Sequence, residues 1–335
     1  GVCHSCNLYN TCPNMPNNTT IYDLNLKKQG YAFGRYGCNP PYLLFTSLLQ
    51  KMIQIDPNPP VIVFTGDISP HAYPDDNHEL LQTTNINDLC ELKFLVTEKM
   101  IKELVTTFPN TKWAYTLGNN DHFPKDIYWQ PYIDRYGKML LDTGFFTYSQ
   151  YESFISHGCS FIDVDNIRYL SIDMMVFAPY GIAFSNYSEI TLENRGNRLR
   201  GVEQINLLRR LLSWLESSLH EASQLNLSVY LIGHQPLTTK EGRNEMDVEC
   251  IYYSRFKTLL SAHSSIIKVG LFGHHNYAFV EEILSTSYIP LIPSIIAPGV
   301  SPRGKNNPAF NLVYRSKSTG VILDFKQIKF NLLEE

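Results

Sequence analysis

The sequence predicts an α/β fold in which mixed β-sheets are covered by helices. Four apolar runs rich in β-forming residues each end in a glycine followed by a polar side chain. The segments between these runs carry apolar residues at helical spacing, and further β-rich runs cluster toward the end of the chain. Because helices alternate with buried strands and further strands then follow one another, we expect a mixed sheet system.

The strand candidates are short and apolar, which is typical of buried strands. The four runs that end in a polar side chain are VIVFTGD at 61–67, WAYTLGN at 113–119, VYLIGH at 229–234 and KVGLFGH at 268–274. Further strands are predicted at 168–173, 293–297, 311–314 and 320–325.

Helices are predicted where apolar residues recur every three or four positions. One such stripe runs from Leu89 to Leu104, and another runs from Ile205 to Leu219. Shorter helices are predicted at 40–52 and 252–262. These helices separate the strand candidates along the chain.

Composition favours one globular domain over residues 1–335. The chain has 335 residues, of which 44% are hydrophobic and 18% charged, and no shift in composition divides it. A net charge of −4 with scattered Lys and Arg gives no electrostatic case for a nucleic-acid partner. The most apolar run, Ile289–Val300, is broken by three prolines and is too short to span a membrane.

Cysteines and glycosylation motifs indicate an oxidising compartment. Three cysteines lie in the first twelve residues, a density that suits disulfides, although a zinc knuckle is an alternative. These cysteines are Cys3, Cys6 and Cys12. N-glycosylation motifs occur at Asn17, Asn18, Asn186 and Asn226. We therefore expect a secreted or lumenal, N-glycosylated protein.

The polar side chains at the four strand ends are of metal-ligand types. They are Asp67, Asn119, His234 and His274. Loops beyond the carboxyl ends of strands gather ligands in such sheets, because the sheet holds those ends rigidly. Each residue alone is more often an ordinary loop residue. Together, a carboxylate, an amide and two imidazoles predict a site for zinc, manganese or iron.

The order GD, GNxD, GH, GHxx resembles the calcineurin-like metallophosphoesterases. The segments TGDISPH, GHQP and NNPAFNLVY resemble the acid sphingomyelinase-like branch of that family, and LGNND and GHHN look most like vacuolar endopolyphosphatases within it. The resemblance covers most of the chain. It implies a four-layer α/β/β/α sandwich, two mixed sheets flanked by helices, with two divalent metal ions at the strand ends.

The resemblance also implies roles for individual residues. Asp67 would bridge the two metals, while Asn119, His234 and His274 would hold one of them. Asn276 would face the other metal.

Further residues would face the substrate. His71 in GDISPH matches a family residue near the scissile phosphate and would polarise it. Arg303 stands where sphingomyelinases place a substrate-facing tyrosine, and Lys305 is close by in sequence. Charge-assisted donors of this kind suit phosphate oxygens.

The chain departs from the family at its start. The family begins with a strand that ends in an Asp-x-His motif, and we expect the domain in this sequence to lack that strand and with it part of the first metal site. His4 lies beside cysteines and is interpreted as a loop residue. By resemblance, Cys3 would lie close to Cys38, and Cys6 and Cys12 would form a second local pair.

The residue Asn120 bears on the choice of substrate. Family sphingomyelinases have at this position a histidine that gives a proton to the leaving oxygen, a contribution of about 10²–10⁴ in rate for a general acid. An alkoxide needs that proton, whereas a phosphate with a second pKa near ~6 leaves as a stable anion. Asn120 therefore favours phosphoanhydrides.

Three functions follow from these observations. The first is a metal-dependent phosphohydrolase of polyphosphate or a related anhydride. The second is a sphingomyelinase-like phosphodiesterase or nucleotide hydrolase. The third is a non-catalytic binding protein that has kept the fold and lost a metal. The expected partner is a small or polymeric phosphate substrate.

Overall fold

A computed structural model describes the part of the chain that carries the strand ends. The described residues are 33, 34, 36, 39–69, 86–123, 125, 128–177, 202–237, 250–285, 289–304 and 306–332. Several residues singled out above lie outside them, and the predictions about those residues stay predictions. These are His4, Asn17, Asn18, His71, Asn186, Lys305, Cys3, Cys6, Cys12 and Cys38.

The described residues form helices at all four predicted places. In chain order the helices are α1 Tyr42–Ile55, α2 Ile86–Thr107, α3 Gln130–Asp142, α4 Tyr148–His157, α5 Val202–Gln224 and α6 Cys250–Ala262. Sequence reasoning missed α3 and α4. Their local signals are clear, since α3 has a proline in its first turn and α4 has a capping box between Thr147 and Gln150.

The strands confirm the predicted runs and add two more. They are β1 Val61–Phe64, β2 Lys112–Tyr115, β3 Cys159–Val164, β4 Ile167–Ile172, β5 Ser228–Ile232, β6 Ile267–Phe272, β7 Phe279–Leu284, β8 Pro290–Ile296, β9 Ala309–Arg315 and β10 Ile322–Lys329. Sequence reasoning missed β3 and β7, which are the two edge strands of the largest sheet. Both edge strands expose part of their length to solvent, so neither shows a continuous apolar run.

The largest sheet is mixed. Its order is β3-β4-β5-β6-β8-β7, in which the four central strands are parallel and both edge strands are antiparallel. Among the described residues, β1 pairs with β2 in parallel, and β9 pairs with β10 in antiparallel fashion. The parallel pairings matter for function because they bring several strand ends to one edge.

The layers follow from which face each side chain occupies. Tyr169, Tyr230 and Val269 point from the large sheet toward Val63 of β1 and Ile322 of β10, in one apolar cluster. The alternate residues of the same strands join a larger cluster with the helices. The four-layer α/β/β/α arrangement is confirmed, with β1-β2 and β9-β10 both packed on one face of the large sheet.

The two sheet layers touch at the carboxyl ends of their strands. The Thr116 hydroxyl, just after β2, donates to the Ile172 carbonyl at the end of β4 (2.6 Å). Gly273 after β6 lies so close to Thr65 after β1 that a Cβ there would be 2.8 Å from the threonine Oγ1. The loops after β1, β2, β5 and β6 therefore meet at one end of the sandwich.

In the part of the chain that the structure describes, no helix has both the length and the apolar character needed to cross a membrane.

Candidate metal centre

His234, which follows β5, lies at the centre of the converging loops and is 1% exposed. Its Nδ1 donates to the Thr65 carbonyl at 2.7 Å, so the neutral imidazole has no proton on Nε2. That bare nitrogen lies 3.1 Å from Asn119 Oδ1, 3.2 Å from His274 Nδ1 and 3.3 Å from Asp67 Oδ2. Three side chains with metal-ligand atoms thus surround one nitrogen of His234, which carries no proton in the neutral form of that residue.

Such a set of donors needs a positive charge among them. One source is a proton on His234: burial lowers the pKa of this histidine, but the Asp67 carboxylate raises it, and the net shift is upward. The other source is a metal ion. Metal-binding histidines usually donate their second N–H to a backbone carbonyl, as His234 does to Thr65.

The donor set fits a divalent metal in its chemistry, and the contacts of His234 have the spacing of ligand atoms. Two ligand atoms held about 2.1 Å from one ion lie roughly 3.0–3.4 Å apart at the usual angles, and the contacts of His234 fall in that range. Within the described ranges, no group of three or more His, Cys, Asp or Glu side chains is arranged to hold an ion. Asp67, His234 and His274 do not by themselves form such a group, so the case for a metal rests on the chemistry of the donors and on the contacts of His234.

Asp67 is held in an unusual backbone conformation. It has φ of +61°, follows Gly66 at φ +89°, and packs on Gly118. A Cβ at Gly118 would overlap Asp67 Oδ1, which explains the glycine at this strand end. Both oxygens of Asp67 accept bonds from Asn120, Oδ1 from the backbone N–H (2.8 Å) and Oδ2 from the side-chain amide (2.6 Å).

Asp121 fixes the backbone around Asp67. Its fully buried carboxylate accepts from the N–H groups of Asp67 (2.7 Å), Ser69 (2.8 Å) and Gly118 (2.8 Å). Burial raises the pKa of Asp121 and the charge of Asp67 adds to this, while the N–H groups of Gly118 and Ser69 and the nearby Lys93 ammonium oppose it. Asp121 therefore links the ends of β1 and β2.

His274 and Asn276 follow β6 in the left-handed region, with φ of +67° and +61°. Asn276 Nδ2 donates to the His274 carbonyl (3.3 Å), and the Gly299 N–H donates to the Asn276 carbonyl (3.1 Å). A Cβ at Gly299 would overlap the Asn276 side-chain oxygen. Asn276 is thus packed between its own loop and the segment after β8.

The structure brings Asp67, Asn119, His234 and His274 together, as the strand-end rule predicts. Arg303 lies in the 3₁₀ turn Pro302–Gly304 that follows β8, and its side chain is half-buried. The structure therefore places this residue in a loop at the same ends of the strands, after β8.

Sequence reasoning missed a buried histidine–aspartate pair. His122 Nε2 donates to Asp173 Oδ1 at 3.2 Å, and both residues are at most 1% exposed. Asp173 also accepts from the Met175 N–H (3.0 Å). The signal was available, because Asp173 follows β4 and is a polar residue at a parallel strand end like the others.

Comparison with known proteins identifies a family and several relatives. The profile of the family described as calcineurin-like phosphoesterase matches residues 42–274. Sphingomyelinase phosphodiesterase D of Dictyostelium discoideum is 27% identical over 89% of the chain and 62% of its own length. Acid sphingomyelinase-like phosphodiesterase 3b of Homo sapiens is 24% identical over 90% of the chain and 63% of its length. Cyclic GMP-AMP phosphodiesterase of Homo sapiens is also 24% identical over the same two shares.

The chain spans less than two thirds of the length of these relatives. The family match covers every strand end that contributes to the cluster around His234. The chain therefore belongs to the calcineurin-like phosphoesterase family, and its similarity to curated proteins lies in the acid sphingomyelinase-like branch.

Proposed function

We propose that the chain is a metal-dependent hydrolase of phosphodiesters. The observation that carries the proposal is His234, whose Nε2 faces the side chains of Asp67, Asn119 and His274 while its Nδ1 donates to a backbone carbonyl. Family membership supports two divalent metals as the cofactors. Zinc, manganese and iron all suit the donor set.

When bound, divalent metals lower the pKa of water and neutralise charge on phosphoryl oxygens. In the proposed site Asp67 would hold both ions, His234, His274 and Asn119 would hold one of them, and Asn276 would face the other. The structure supports a shared site for Asp67, His234, His274 and Asn119, because their side chains meet at His234. The role of Asn276 is supported by the family resemblance alone.

Three residues are proposed to contact substrate rather than metal. His71 would polarise the scissile phosphate, and Arg303 and Lys305 would bind phosphate oxygens. A guanidinium gives two parallel donors to such a group, and a lysine gives a point charge.

Phosphodiesters are the first substrate class because the three relatives above are all named as phosphodiesterases, two of them in the sphingomyelinase group and one for cyclic GMP-AMP. A phosphoanhydride such as polyphosphate is the second candidate. None of these three names supports it, and the observation that favours it is the neutral amide of Asn120, which offers no acidic proton to a leaving alkoxide.

A substrate panel tests the proposal. Metal-loaded protein is given sphingomyelin, cyclic GMP-AMP and tripolyphosphate, and Asp67→Ala is compared with Asn166→Asp, an exposed change at the far end of β4. We expect hydrolysis of a phosphodiester that is lost in Asp67→Ala and kept in Asn166→Asp. Fastest hydrolysis of tripolyphosphate would favour the second candidate, and no turnover with metal bound would indicate a non-catalytic binding protein.

The proposed location is secreted or lumenal, with N-linked glycans. Asn226 supports this, because it is an exposed residue in the turn after α5, where a glycan can extend into solvent. A glycosidase that removes N-linked glycans should reduce the mass of protein purified from secreting cells, and Asn226→Gln should remove part of that difference. Unchanged mass after glycosidase treatment would contradict the proposal.

A further inference from the structure

We infer that Asn120 is a positioning residue that orients the Asp67 carboxylate toward the metals. This inference rests on the proposed metal-dependent function. It gives Asn120 a role that differs from facing the leaving group, and it concerns a contact that the structure describes directly.

The two residues are joined by both available donors of Asn120. The backbone N–H reaches Asp67 Oδ1 and the amide Nδ2 reaches Asp67 Oδ2, at 2.8 and 2.6 Å. One bond would leave the carboxylate free to rotate about its last torsion. Two bonds to different oxygens fix the plane of the carboxylate, and so fix where its remaining lone pairs point.

The orientation of the Asn120 amide shows which of its contacts holds it in place. Asn120 is 3% exposed, and its Oδ1 is buried without a hydrogen-bond partner among the described residues. Turning the amide over would place that oxygen against Asp67 Oδ2, where two acceptors repel each other. The donor bond to Asp67 therefore holds the amide in place, although it leaves a carbonyl oxygen unbonded.

The neighbours of Asn120 in sequence contact other parts of the centre, so that the amide of Asn120 acts on the Asp67 side chain. Asp121 already holds the backbone N–H of Asp67, and Asn119 Oδ1 already contacts His234. The consecutive residues 119, 120 and 121 thus each engage a different part of the centre: an imidazole, a carboxylate and the backbone. Removing the amide of residue 120 affects the carboxylate alone.

The experiment measures metal affinity, which needs no substrate. Asn120→Leu keeps the volume of the side chain and removes its donor, while Asn120→His restores an N–H. Zinc, manganese and iron are titrated into metal-free protein by calorimetry, and Asn166→Leu on the surface serves as the matched control. We expect Asn120→Leu to weaken binding by about 10–100-fold, as changes of hydrogen bonds to metal ligands do.

Further variants distinguish a role in positioning Asp67 from a role toward the leaving group. Asn120→His should recover most of the lost affinity, and Asn166→Leu should bind like the parent. If Asn120→Leu binds metal as tightly as the parent, the inference is overturned, and a role toward the leaving group remains. If Asn120→Leu does not melt cooperatively, Asn120→Ser, whose side chain is too short to reach Asp67 Oδ2, takes its place with the same expectation.

The two proposals fail in different ways. A parent that binds metal but hydrolyses no phosphodiester disproves the proposed activity, while the metal affinity of the Asn120 variants still decides the inference. A parent that binds none of zinc, manganese and iron overturns both. On active protein the catalytic constants give a second readout, since loss of positioning lowers kcat and leaves KM for the phosphodiester nearly unchanged.

Discussion

Gly118 shows how tightly the centre is packed at the level of single residues. A Cβ there would overlap Asp67 Oδ1 and lie 2.5 Å from the Asp67 backbone nitrogen. The backbone of Gly118 is not in the left-handed region, so an alanine would meet a steric problem and no backbone strain. An alanine at position 118 therefore tests the packing against Asp67 without adding strain to the backbone.

We predict that Gly118→Ala lowers hydrolysis by about 100-fold or more, since a displacement near 1 Å in a catalytic site has that effect. The measurement is kcat/KM on the best phosphodiester, together with zinc content. Gly144→Ala is the control: its Cβ meets no atom within 4 Å, but φ is +74°, so it should cost about 1–2 kcal/mol of stability without loss of activity. Equal activity of Gly118→Ala and the parent would show that Asp67 is not where the chemistry occurs.

Helix α2 packs against the strand-end loops from outside the sheets. Its Lys93 is 1% exposed and donates from Nζ to the His122 carbonyl at 2.6 Å. One turn earlier, Cys90 packs partly buried against the main apolar cluster. Burial, with a smaller contribution from Glu91, raises the pKa of the Cys90 thiol to about 11, although Arg135 opposes the shift.

We predict that Cys90 resists alkylation at pH 8. Because the thiolate is the nucleophile, a pKa of about 11 leaves only about one thiol in a thousand reactive at that pH. The labelling rate of native protein with iodoacetamide, followed on the peptide by mass spectrometry, should rise about tenfold per pH unit from 8 to 10. Buried Cys159 should label only after unfolding. Labelling of Cys90 at pH 8 as fast as free cysteine would refute the expectation.

At the scale of elements, the buried central strands are easier to predict from the sequence than the edge strands. Strands β1, β2, β5 and β6 follow from apolar runs, and their ends identify the residues that meet at His234. The edge strands β3 and β7 were missed because partial exposure interrupts their apolar pattern. The Asn120–Asp67 bonds could not be predicted either, since they depend on the backbone path after β2 and not on residue type.

At the scale of the whole molecule, the β9-β10 hairpin is fastened to the large sheet by polar groups. The Tyr230 hydroxyl donates to the Gly320 carbonyl (2.7 Å), and Ser228 Oγ donates to the Thr319 carbonyl (2.9 Å). Arg315 of β9 pairs with Asp165 in the β3-β4 turn (2.6 Å). These bonds join the β9-β10 hairpin to strand β5 and to the turn that precedes β4.

We predict that Tyr230→Phe destabilises the protein by about 1–2 kcal/mol, because the bond is lost and the Gly320 carbonyl is left buried and unbonded. Denaturant unfolding measures the change, and hydrogen exchange should show faster opening of β9 and β10 than of β5. Tyr314→Phe is the control, since that ring lies half exposed on the same hairpin. A loss confined to β5, with the hairpin unchanged, would contradict this account of how the layers are joined.

The left-handed backbone at Asp67, His274 and Asn276 has an evolutionary consequence. Most side chains lose about 1–2 kcal/mol in that conformation, whereas Gly adopts it readily and Asn, Asp and His are enriched in it. A descendant that no longer bound metal would therefore still be restricted to a few residue types at these places, because drift toward bulkier or β-branched residues would strain the loops. A motif that persisted at these places would thus record selection for a foldable loop as well as selection for catalysis.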